Sequence, residues 1–122
     1  MPREDQHDQK ARQNEIFAES IVERGNDTKE GWAVVVAFYS ALHYIQAYLV
    51  RFGAGDSDNH HKRFEEIKGD PKLQPILAQY KYLYTLGHTS RYKCHALPNN
   101  PYAIAKSHLE TIKKQVAYAM GK

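Results

Sequence analysis

Residues 31–50 read GWAVVVAFYSALHYIQAYLV, twenty positions without a charge between Glu30 and Arg51. The run is long enough to cross a bilayer, but Ser40, His43, Gln46 and three tyrosines interrupt it, the pattern of a helix buried in protein rather than in lipid. In a chain of 122 residues this predicts a central helix with the others wrapped around it. Phe38, Leu42, Ile45 and Leu49 make one apolar face, and Val35, Tyr39 and Ala47 add a second, so the helix meets neighbours on several sides.

Before this run, Ile16, Phe17, Ser20 and Ile21 form a stripe that predicts a helix over 5–24, stopped by Gly25. Asn26, Asp27 and Thr28 offer caps for the central helix, placed at 30–52 and ended by Gly53. A short helix over 60–68 follows, with Ser57 or Asn59 as its cap. Leu73, Ile76, Leu77, Tyr80, Leu83, Tyr84 and Leu86 keep helical periodicity over 72–92, with Pro75 tolerated in the first turn. After the break at 97–101, Ile104, Leu109, Ile112 and Val116 mark the inner face of a last helix over 101–120. No segment alternates as a strand does, so the expected fold class is all-α, a single domain built as a four- to five-helix bundle.

With 42% hydrophobic and 25% charged residues, the chain has the make-up of a globular domain held by packing, without need of disulfides or a structural metal. Cys94 is the single cysteine, which excludes an intramolecular disulfide and suits a reducing cytoplasmic setting. The opening MPREDQHDQK is too polar for a signal peptide, and no membrane association is expected. The net charge is +3, and its cations are scattered: Lys62 with Arg63, Lys81, Arg91 with Lys93, Lys113 with Lys114. That is the distribution of a solvated surface, unless folding gathers Arg63, Arg91 and Lys93 into one basic cleft.

Glycine-rich phosphate loops, zinc-spaced cysteine pairs, HExxH and GxSxG are all absent from the sequence, which leaves the seven histidines as the chemistry to explain. His60 and His61 follow acidic residues at 56 and 58, but adjacent histidines point apart on a helix. A polar first turn accounts for them better than a metal, with Arg63, Glu65 and Glu66 on the exposed side, and no metal or cofactor is expected. His43 reads as a neutral buried imidazole partnered by Tyr39 or Gln46, with a second use if this face, His43 with Tyr39, lines a cleft or subunit interface.

The segment His88-Thr89-Ser90-Arg91-Tyr92-Lys93-Cys94-His95 crowds ionisable groups at a helix end. Arg91 can hold a phosphate while His95, one turn later, moves a proton, and His88, Tyr92, Lys93 and Arg63 can add phosphate or RNA contacts. Cys94 has cationic neighbours but no third residue to orient it as a nucleophile. A purely structural use is also open, in which Arg91 and Tyr92 anchor the helix end.

Taken together, FYSALHYIQAYL, HHKRFEEI and YKYLYTLGHTSRY, in that order, resemble the small bacterial HEPN-domain proteins. The resemblance covers 32–92 and implies an all-α bundle of four or five helices. Many HEPN domains are metal-independent ribonucleases whose Arg and His, in an R-x4-H to R-x6-H motif, meet across a homodimer cleft and direct the RNA 2′-hydroxyl onto the adjacent phosphate. Carried over, Arg91 would bind phosphate and His95 would serve as acid or base, in a defence or toxin–antitoxin setting. Only Tyr92, Lys93 and Cys94 separate the two, one residue short of that motif. Other HEPN proteins lack the motif and act as binding or assembly modules, so the resemblance implies either RNA binding, with or without cleavage, or docking onto a homodimer or partner protein.

Overall fold

Five α-helices and one 3-10 turn account for nearly all the described residues of the computed structural model, 4–23, 27–52, 59–92 and 100–122; side chains are described over these ranges except 21–23, 27–30 and 90–92. The helices are α1 (Glu4–Glu23), α2 (Asp27–Phe52), α3 (His60–Gly69), α4 (Leu77–Tyr92) and α5 (Pro101–Ala119), with the 3-10 turn at Gln74–Ile76 and no strand among the described residues. The fold is an all-α bundle. α2 is its axis, packed by α1, α4 and α5. Gly31–Phe52 is long and apolar enough to span a membrane, but 78% of its most apolar window is buried against the other helices.

α1 and α2 close on small side chains. Ala11 and Ala18 on α1 and Ala33, Ala37, Ser40 and Ala41 on α2 are fully buried. Ser40 Oγ donates to the Ala11 carbonyl at 2.7 Å, and His7 meets His43 farther along the same hairpin. This register, carried back toward the turn, places Ala18 opposite Ala33. The expected apolar stripe of α1 is thereby overturned at its first two positions: Ile16 is 71% and Phe17 55% exposed, while the side chain of Ile21 lies outside the described residues. An α2 face made of alanine and serine invites close approach, and only the alanine side of α1 can lie that near without a clash.

Carboxylates then fasten α1 to its neighbours. Glu19 accepts from Tyr102 at 3.0 Å and pairs with Lys106, both on α5. Glu4 pairs with Arg51 of α2 at 3.3 Å.

Asn59 caps α3 by accepting from the Lys62 backbone N–H at 2.8 Å. Beyond α3 the helix expected from residue 72 begins only at Leu77. Asp70 holds the intervening turn, its side chain accepting from the Lys72 amide at 2.9 Å and its carbonyl from those of Leu73 and Gln74. Pro75 has no amide hydrogen, so a 3-10 turn fills the gap. At α5, Asn100 takes a left-handed conformation (φ 52°) and Pro101 opens the helix, a pairing of a residue tolerant of positive φ with one whose φ is already helical.

Candidate functional site

Where α2, α3 and α4 meet, a cavity of about 160 Å³ is lined by Val35, Phe38, Tyr39, His60, Tyr84, Gly87 and His88. Each helix contributes for a local reason. Tyr39 sits at the edge of the buried face of α2 and stays half-buried. His60 is the first residue of α3, directly after the Asn59 cap. Tyr84 and His88 are one turn apart on α4, and His88 is exposed. Gly87 faces α2, and a Cβ there would meet Phe38 Cβ at 3.4 Å, ordinary contact distance.

The walls are aromatic. His60 meets the Tyr84 ring edge-on with centroids 4.7 Å apart, and Phe38 lies 5.8 Å from both. Phe64 of α3 stands edge-on to Tyr80 and Tyr84. Stacked or edge-packed rings with two imidazoles among them can take a planar base or an anion.

Behind His60 lies Arg63, only 5% exposed. Its Nε donates to Gln46 Oε1 at 2.8 Å, and its Nη1 donates to Tyr80 OH at 3.3 Å and to His60 Nδ1 at 3.1 Å. Burial pushes the Tyr80 hydroxyl up to about 12, against the pull of the Arg63 guanidinium, so it remains a neutral phenol able to accept that bond. The expectation that Arg63 lies on the exposed side of α3 is therefore corrected. At three residues from His60 and four from Ile67 it belongs to the inward face, and Gln46 and Tyr80 give its donors polar partners there.

Other sequence-derived residues fall out differently. His88 and Tyr39 reach the same cavity, and Arg63 reaches it only through His60. His43 bonds His7 Nδ1 to Nδ1 at 2.8 Å, across the α1–α2 hairpin, while the Gln46 carbonyl serves Arg63. The backbone of Arg91 and Tyr92 forms the last turn of α4, and their side chains, like Lys93, Cys94 and His95, lie outside the described residues. His61 is exposed, and no group of three or more metal-ligating side chains occurs among the described residues.

His60 and Tyr84 are the site residues that sequence reasoning missed. The signal for His60 was present: an Asn cap followed by His-x-x-Arg puts His60 and Arg63 on one helical face. A second cavity, about 230 Å³, lies between α1, α2 and α5 and includes Arg12, Tyr44 and Lys113. Arg12 pairs with Asp8 at 2.9 Å, and both Tyr44 and Lys113 bond Glu15, so these polar groups serve the scaffold. No protein-family model, no curated protein and no solved structure matches the chain.

Proposed function

We propose that the chain is a HEPN-like helical module that binds single-stranded RNA at the His60–His88 cavity. The observation that carries this reading is the convergence of two imidazoles, His60 and His88, with Tyr39 and Tyr84 in one small recess. At about 160 Å³ the recess is well below the ~300 Å³ at which drug-sized ligand pockets begin, so it suits one base or one phosphate of a longer strand rather than a whole free nucleotide. Unpaired bases of single-stranded RNA are available to stack on such rings, whereas duplex bases are not. Arg91 and His95 then supply the phosphate grip and proton transfer of an endoribonuclease, a finer proposal that rests on the HEPN resemblance.

The test is fluorescence anisotropy with a labelled single-stranded RNA of mixed sequence, in EDTA, against duplex DNA. Tyr39→Ala should weaken RNA binding about tenfold, the loss of one stacked base at roughly 1–3 kcal/mol. Equal affinity for duplex DNA, or no loss in Tyr39→Ala and His88→Ala, defeats the reading. Cleavage is read on the same RNA by gel with Arg91→Ala and His95→Ala, and variants that cut as wild type does remove the catalytic part alone.

A second reading is favoured by exposed apolar side chains: Ile16 and Phe17 on α1, and Trp32 near the start of α2, 60% exposed. On that reading the module docks a partner chain or a second copy through such side chains. Light scattering decides between them, because a strict monomer with no co-purifying protein removes it.

A further inference from the structure

Around α4 from the cavity, Tyr82 lies against His108 of α5, with ring centroids 4.7 Å apart and planes at 39°. Tyr82 is 43% exposed, so with one side on the imidazole its ring still keeps much of its surface in water. Among the described residues no hydrogen bond engages the Tyr82 hydroxyl or either His108 nitrogen. Core packing does not call for the pair, because Leu83 and Leu109, the next residue along each helix, are the buried ones.

The pair connects to the cavity. Tyr82, Thr85 and His88 step three residues at a time along α4, all three exposed, and His88 lines the cavity. Residues three apart on a helix are neighbours, so this row spans roughly 10–12 Å of surface. Beside it stands exposed Lys81, its ammonium 5.8 Å over the ring of Phe64, which is edge-on to Tyr84 of the cavity wall. Lys81 pairs with no carboxylate among the described residues, and α4, LAQYKYLYTLGHTSRY, contains no acidic residue. Rings at both ends and a cation between them suit a polyanion whose bases carry π-faces.

We propose that the Tyr82–His108 pair is a second base-stacking platform for the same single strand of RNA, which crosses α4 along the Tyr82–Thr85–His88 row with a phosphate held by Lys81. This rests on the RNA-binding reading and deepens it, giving the strand a path and a minimum length. One base enters the cavity and another lies on the open ring of Tyr82. The roughly 10–12 Å between them leaves room for at least one intervening nucleotide. Stacking alone is tolerant of sequence, since every base has a π-face.

The test uses the full chain and competition against a labelled hexanucleotide RNA, by an unlabelled hexanucleotide or by a dinucleotide too short to reach both sites. Tyr82→Ala should weaken the hexanucleotide about tenfold, as for one stacked base, and the dinucleotide by less than about threefold. Tyr82→Phe keeps the ring and should bind the hexanucleotide within about threefold of wild type. Lys81→Ala should lower the slope of log affinity against log salt by about 0.7, the value for one phosphate contact on a single strand. Full hexanucleotide affinity in Tyr82→Ala, an equal loss at both lengths, or an unchanged slope in Lys81→Ala overturns the inference. If Tyr39→Ala still weakens binding in that case, the cavity reading survives without the platform. A loss in Tyr82→Ala with none in Tyr39→Ala upholds the platform and removes the cavity. Should Tyr82→Ala fail to fold, the Lys81→Ala slope decides, since Lys81 is exposed and has no described ion pair to lose.

Discussion

Tyr44 of α2 donates its hydroxyl hydrogen to Glu15 Oε2 of α1 at 2.8 Å, and the same carboxylate accepts from Lys113 of α5 at 3.1 and 3.2 Å. One side chain thus joins three helices. Replacing Glu15 by Ala should destabilise the fold by about 1–3 kcal/mol, because the nearly buried Tyr44 hydroxyl loses its acceptor. Lys113→Ala should cost under about 1 kcal/mol, since Lys113 is 41% exposed and solvent screens its pair. Urea unfolding of the two variants checks the order, and equal losses would contradict it.

Alkaline pH should unfold this protein early. Burial raises the hydroxyls of Tyr44, Tyr48, Tyr80 and Tyr102 above the ordinary tyrosine value, and bonds to Glu15, Asp70 and Glu19 push three of them the same way. A raised folded value means that the unfolded chain releases these protons first, so the contribution is complete below pH 10 and falls as pH rises from there toward 12 and above. Thermal melts from pH 8 to pH 11.5 should show a flat midpoint and then a steep fall beginning near pH 10.

Acid acts through Glu19 in the opposite sense. The Lys106 ammonium bonded to it, with the Tyr102 hydroxyl, holds its carboxyl below the usual range despite some desolvation. Its contribution is present above the ordinary carboxylate value and is lost as pH falls through the lowered one. Both partners are over two-fifths exposed, so the effect is small and should shrink further in 1 M salt. Melts of wild type and Glu19→Gln should converge near pH 3, and a difference that persists there would contradict the assignment.

Gly87 separates scaffold from site. Alanine there gains helix propensity of up to about 1 kcal/mol, and its Cβ meets Phe38 at ordinary contact distance, so Gly87→Ala should hold or raise the melting temperature. The same methyl intrudes on the cavity that Gly87 lines, so RNA affinity should fall. Loss of stability together with binding would mean that α4 cannot bear the methyl at all.

Ala18 tests the hairpin seam. Ala18→Leu should destabilise by about 1–3 kcal/mol or force α1 away from α2, whereas Phe17→Ser, one position along on the exposed side, should change urea stability by less than about 0.5 kcal/mol.

The sequence made α2 and the chain's all-helical character legible because a twenty-residue uncharged run and a steady 3.6-residue period act locally. The face of α1 was not legible. Ile16 and Phe17 outrank Ala11 and Ala18 in hydrophobicity, and only the small side chains of α2 decide that alanine turns inward. Arg63 was misplaced for a related reason: a charged residue on a short helix reads as solvated until Gln46 and Tyr80, both seventeen residues away, provide its bonds. Of the cavity, His88 and Tyr39 were legible as polar residues on otherwise packed helices, while His60 needed its partner Arg63 to be seen as aimed.

α3 is a short helix with few buried residues, Arg63 and Ile67. Its inner face contributes Ile67 and half-buried Phe64 to the apolar core, and the rest of its described grip is the ring contacts of His60 and the polar contacts of Arg63. Hydrogen bonds exchange with water at little net loss, whereas buried alkyl and aryl groups do not. Amide hydrogens of α3 should therefore exchange in deuterium ahead of global unfolding, as native-state exchange would show. Since α3 carries His60, opening of α3 would widen the cavity, and a ligand would then enter sideways past a lifted wall rather than thread its way in.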